Sequence, residues 1–260
     1  MSALPLKDTV VVELRVVACF LIVIYHCLCY AGGVWPMLPD GAKAFAYPFN
    51  IRAISTLGLI LFVFISGKLY GEGKFRLGKY SDAGTFLRKK STRLLVPYAI
   101  WGVGTYFAFH SCILPYSIIG GVAHLWFLLM LFDLFCLCTI FHKRWERTTK
   151  YEDLLVLLLG MITAAFLPMA IKNHLWLFSM NKALLYFPYF YMGMLLAKHQ
   201  WLWTTRLSVT MILLLLPLCF VSGAFAELES FWGMIERLLL LSSVYSLMVR
   251  IFSKRQLRNV

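Results

Sequence analysis

The chain has 260 residues, of which 61% are hydrophobic and 14% charged, with a mean hydropathy of +0.77. Soluble domains carry charge on roughly a quarter of their residues, so this composition excludes an ordinary water-soluble fold and points to a polytopic membrane protein. The formal charge of +13 does not indicate nucleic acid as a partner. The cations sit in short segments between apolar runs, where loops on one side of a bilayer explain them.

Eight apolar segments follow one another: 9–31, 54–70, 94–110, 124–141, 154–171, 183–197, 207–226 and 232–252. Most reach the roughly 17–25 residues that cross a bilayer. The expected fold is all-α: one domain over residues 1–260, a polytopic membrane helix bundle of about eight transmembrane helices. The first segment is too long for a signal-peptide core, carries Glu13 and Arg15, and lacks a small-x-small cleavage site. It is expected to stay as the first span.

Charge sets the expected orientation. The 71–93 connection holds Lys74, Arg76, Lys79, Arg88, Lys89, Lys90 and Arg93. The 142–153 connection holds Lys143, Arg144, Arg147 and Lys150, Lys198 and Arg206 flank the next, and the tail holds Arg250, Lys254, Arg255 and Arg258. The alternate connections hold only Lys43, Arg52, Lys172 and Lys182. Both termini are therefore expected in the cytoplasm, with Glu227 and Glu229 outside.

Within the first segment Arg15 and His26 are the exceptions to an apolar run. Eleven residues turn a helix by about 1100°, three turns plus about 20°, so both side chains leave one face about 16 Å apart along the axis. Ionisable groups in a span usually face a bundle interior or a water-filled path. His26 reads as a general base or acid, or as a core histidine bonded to a neighbour. Arg15 reads as a ligand for an anionic group from the cytoplasmic side, or as an interfacial anchor.

In the second segment Ser66-Gly67 pairs two small residues, suited to close helix packing, and Lys68 is expected to snorkel. Lys89, Lys90 and Arg93 lead into the third segment, either as a grip for the phosphates of a nucleotide-like cofactor or as a topogenic cluster on anionic lipid. Pro97 is expected early in that span, where a proline is tolerated. Asp133 is a bare carboxylate near mid-membrane; it requires a partner or a raised pKa and its role stays open. The tryptophans, Trp126 included, read as interfacial belts. Glu236 and Arg237 either pair locally or face a polar cavity. The seven cysteines lie mostly in apolar runs, and Cys27/Cys29 and Cys136/Cys138 are not spaced as a zinc site. They read as buried small apolar residues, and no metal is expected.

Four stretches together resemble the acyltransferase 3 family of integral-membrane acyltransferases. They are Arg15 with ten residues to His26, Phe62-Val63-Phe64-Ile65-Ser66-Gly67, Lys90-x-x-Arg93-Leu94-Leu95-Val96-Pro97-Tyr98, similar to the family's Arg-x-x-Arg-x-x-Pro-x-Tyr, and His124-Leu125-Trp126-Phe127-Leu128. Pro188–Gly193 is a weaker echo. The resemblance implies an acyl donor, usually acetyl-CoA on the cytoplasmic side, and an acceptor, usually a sugar hydroxyl of a bacterial surface glycan or its lipid-linked precursor. It implies an inner-membrane O-acetyltransferase with Arg15 and His26 as the central functional pair. Lys90 replaces the family's arginine. Eight spans are fewer than the family's usual complement, its closing Ser/Gly-x-Tyr-x-x-x-x-His segment is absent, and residues 254–260 read as a loop towards a further helix. The expectation is a C-terminally truncated chain, a short family member or an inactive one. The alternative, from another class, is a non-catalytic transport or flippase-like protein passing a glycan or proton, which Asp133 favours. Hydrolysis of labelled acetyl-CoA that depends on His26 separates the two.

Overall fold

A computed structural model of the chain describes residues 6–31, 49–80, 82–108, 117–122, 125–167, 177–222, 224 and 229–258. His124, Trp35 and Trp176 lie outside the described residues. All regular structure among the described residues is helical. In chain order the helices are α1 (Leu6–Ala31), α2 (Phe49–Gly71), α3 (Ala83–Ala108), α4 (Ser117–Gly120), α5 (Trp126–Ile140), α6 (His142–Trp145), α7 (Lys150–Phe166), α8 (Met180–His199), α9 (Thr205–Val221) and α10 (Phe231–Arg258). A π turn, Glu72–Arg76, extends α2, and a short 3-10 turn, Leu177–Ser179, leads into α8. Every apolar segment of the sequence lies largely on a helix.

Side-chain caps set several starts. Asp82 accepts from the backbone of Gly84 and Thr85 at 3.1 and 2.9 Å, satisfying two orphan donors of α3. Helix α3 therefore begins at Ala83 rather than near Leu94, and Lys89, Lys90 and Arg93 are helical, not part of a loop. For the same reason Pro97 falls in mid-helix, where its missing N–H leaves the Arg93 carbonyl without its helical donor. Thr149 and Glu152 close a capping box on α7. At the C-terminus, residues 254–258 continue α10 as helix, not as the loop read from the sequence.

The centre is the crossing of α2 and α8. A Cβ on Gly67 would overlap the Phe190 carbonyl, and one on Gly193 would overlap that of Phe64. Only glycine lets the two backbones approach so closely. The expected packing role of Ser66-Gly67 is thus met by Gly67. Phe64, Tyr70, Tyr189, Phe190 and Tyr191 are almost fully buried around this crossing. Lys68 does not snorkel: it is 2% exposed and ion-paired with Glu72 one turn on, which also lies 3.6 Å from Arg76. The π turn draws these groups inward, since Lys74 is also buried and pairs with Glu146.

Outside this core, α1, α3, α7 and α9 expose apolar side chains such as Val16, Phe20, Ile100, Phe107, Leu159 and Leu213. Val10–Cys27 and Thr56–Arg76 are the described stretches long and apolar enough to cross a membrane; Trp126–Ile140 and Thr205–Val221 are apolar but shorter. The cysteines are not uniformly buried: Cys138 and Cys219 are, whereas Cys19 and Cys27 are exposed on α1. Trp126 is half-buried at the start of α5, its ring 5.9 Å from that of Tyr186.

Candidate active site

Helix α1 runs unbroken through Arg15 and His26, so the single-face geometry read from their spacing holds. Val11, Leu14 and Ala18 are buried, and Ala18, Leu21 and Ile22 meet Gly58 of α2. Arg15 and His26 flank this packed seam. Arg15 is exposed and His26 half-buried.

Arg15 has cationic company from α3. Lys90 lies with its ammonium 3.9 Å from the Phe135 ring centroid of α5 and 5.4 Å from that of Phe86. Burial pushes its pKa down to about 8, and the Arg93 and Arg15 charges push the same way. The Arg15 and Arg93 charges thus both bear on Lys90, an arrangement of like charges that an anion would relieve. Lys90 and Arg93, three residues apart, share a helix face. Lys89 is exposed and turned about 100° from Lys90. Tyr80 stacks on Tyr70 with ring centroids 5.7 Å apart and feels the Arg93 charge, so aromatic rings border the cluster.

His26 lies about 16 Å along α1 from Arg15, towards the other end of the bundle. Its ring meets Tyr25 edge-on at 5.3 Å. Tyr25 acts electrostatically on Tyr186 of α8, which packs against Trp126 and Tyr189. Arg237 of α10, fully buried, donates from Nε to the Tyr189 hydroxyl at 2.6 Å. Arg237 and Glu236 do not serve as one another's hydrogen-bonded pair in this arrangement: Glu236 accepts from Ser222 at 2.7 Å. Trp126 thus contacts Tyr186, on which Tyr25, the ring neighbour of His26, acts electrostatically. Ser66 is not; its hydroxyl donates to Phe62 O at 2.9 Å within its own helix. Asp133 is buried on α5, and its Oδ2 has no hydrogen-bond partner among the described residues.

One polar cluster was not anticipated. Asp153, 1% exposed, accepts from Lys198 at 2.6 Å, Thr148 at 2.7 Å and Tyr191 at 2.9 Å, and its other contact is His199 Nε2 at 2.7 Å. Burial pushes its pKa up, but the hydrogen bonds from Lys198, Thr148, His199 and Tyr191 outweigh it and hold the carboxyl below its usual value. The capping box at Thr149-x-x-Glu152 marks the helix start in the sequence; nothing there pairs Asp153 with the far end of α8.

The family model described as an acyltransferase domain, that of acyltransferase 3, matches residues 14–259. The chain belongs to the acyltransferase 3 family. This acyltransferase 3 chain is matched from the residue before Arg15 into the last helix, so both the cationic cluster and His26 lie within the family domain. No curated protein and no solved structure matches it.

Proposed function

We propose that the protein is a multi-pass O-acyltransferase of the cell inner membrane. It moves an acetyl group from acetyl-CoA to a sugar hydroxyl of a bacterial surface glycan or its lipid-linked precursor. The observation that carries this reading is the convergence of the Arg15 and Arg93 charges on Lys90, with Arg15 on the same unbroken helix as His26. Three cations suit the phosphates of the donor at the cytoplasmic face, with Lys89 adding charge at the rim. Arg15 orients the donor or its pantetheine arm. His26 accepts the proton as the acceptor oxygen attacks the thioester carbonyl; the new C–O bond forms, the C–S bond breaks, and His26 returns that proton to the departing sulfur so that CoA leaves as the thiol. The exposed apolar faces of α1, α3 and α9 support a bilayer as the surrounding solvent.

His26→Ala is expected to abolish transfer of labelled acetyl from acetyl-CoA to cell-envelope glycan while leaving the amount of protein in the membrane unchanged. Near-normal acetylation by a well-expressed His26→Ala protein would exclude His26 as the base.

A further inference from the structure

A groove of about 800 Å³ opens between α5, α7 and α8, bordered at one end by α6. It belongs to a different part of the bundle from the Arg15–Lys90–Arg93 cluster. Its walls are apolar, with Phe141, Leu155, Leu159 and Phe187 among them, whereas Arg144, Thr148 and Glu152 gather at its mouth. Gly160 lets the wall close on Phe187, since a Cβ there would strike the Phe187 ring. Along α7 the lining runs from Glu152 to Thr163, eleven residues or about 16 Å. That is about half of a roughly 30 Å hydrocarbon core, the depth of one leaflet. The mouth lies at the cation-rich end expected in the cytoplasm, beside Lys143, Arg147 and Lys150.

The charges at the mouth narrow the occupant. Arg144 acts electrostatically on Glu152, so a cation and an anion stand close together. One Glu152 oxygen accepts from Thr149 N at 2.6 Å, and a carboxylate has further lone pairs to offer. Lys143, Arg147 and Lys150 nearby attract the phosphate of any phospholipid, so among the lining residues Glu152 is the one that discriminates, repelling a purely anionic headgroup and accepting an ammonium. A headgroup with a phosphate and a primary ammonium joined by a short linker satisfies both, the phosphate on Arg144 and the ammonium on Glu152. We propose that this groove binds a phosphatidylethanolamine-type phospholipid of the cytoplasmic leaflet, one acyl chain lying along α7 and the zwitterionic headgroup held between Arg144 and Glu152. The inference rests on the membrane orientation but not on acyl transfer, and it is read by lipid binding alone.

Native mass spectrometry of the detergent-solubilised full chain tests it, with phosphatidylethanolamine, phosphatidylglycerol and phosphatidylcholine of identical acyl chains added in turn. The wild-type protein is expected to retain phosphatidylethanolamine about tenfold more tightly than the other two, the weight of one charge-assisted hydrogen bond. Glu152→Gln keeps the capping box, which accepts glutamine at that position, and is expected to erase the preference. Arg144→Gln is expected to weaken all three lipids, and Leu159→Trp, which fills the groove, to prevent retention. Equal or tighter retention of phosphatidylglycerol by the wild type overturns the proposal in favour of an anionic lipid. Retention of no lipid, or an unchanged preference in Glu152→Gln, overturns it outright.

Discussion

Lys90 gives the most demanding test of the cationic cluster. Its ammonium is half-buried against Phe135, and burial, Arg93 and Arg15 together bring its pKa from 10.5 to about 8. At pH 7 about one Lys90 in ten is then neutral, and at pH 9 about nine in ten. A donor phosphate beside it favours the charged form, so binding takes up a proton whenever Lys90 starts neutral. Affinity for CoA is therefore expected to be full well below pH 8 and to fall as pH rises through about 8, by no more in total than Lys90→Ala loses. Lys90→Arg keeps its charge throughout that range and is expected to flatten the profile. Lys90→Ala removes one charge-assisted contact worth about 1.5–3 kcal/mol, which weakens CoA by about 10–100-fold. Calorimetric titration of CoA into the solubilised protein from about pH 6 to about pH 10 reads both effects. If the wild-type and Lys90→Arg profiles coincide, or Lys90→Ala binds CoA within about twofold of wild type, the donor phosphates do not sit at Lys90.

Two further predictions concern the frame that holds this site. Asp153→Asn leaves Lys198 without its buried counter-charge and is expected to cost about 3–5 kcal/mol, seen as a lower midpoint in detergent thermal-shift assays; a cost below about 1 kcal/mol would show the cluster to be ornamental. Because the folded-state pKa of Asp153 lies below its usual value, the stabilisation it supplies is present above the unfolded carboxylate value of about 3.9. It is lost as pH falls through the folded-state value, and Asp153→Asn should remove that acid-side loss. Gly67→Ala must push α8 away from α2 and is expected to destabilise by about 1–3 kcal/mol or more. An unchanged thermal midpoint would mean that the two backbones are not as close as described.

Much of the architecture was legible in the residues. Hydropathy located every long helix, because an apolar run in lipid has few alternatives that satisfy its backbone. The eleven-residue interval of Arg15 and His26 gave their shared face, since helical pitch alone determines it. Two small residues at 66 and 67 announced a close crossing, although the sequence could not say that the partner would be Gly193. The four motif stretches identified the family on their own.

Tertiary structure decided what charges do. Lys68, read as a snorkelling lysine, is buried with its i,i+4 partner Glu72, because the fold covers this end of α2. Lys90 and Arg15 are separated by 74 intervening positions in the chain (16 to 89), and only the tertiary fold, which packs α1 on α2 and α3 on α5, brings the Arg15 charge to bear on Lys90. Asp153 and Lys198, like Arg237 and Tyr189, are joined for the same reason. Periodicity is a local property of the chain and fixes which residues share a face. Coulomb energy and hydrogen bonding depend on distances between helices, which are set by how closely glycines and aromatic rings let those helices approach.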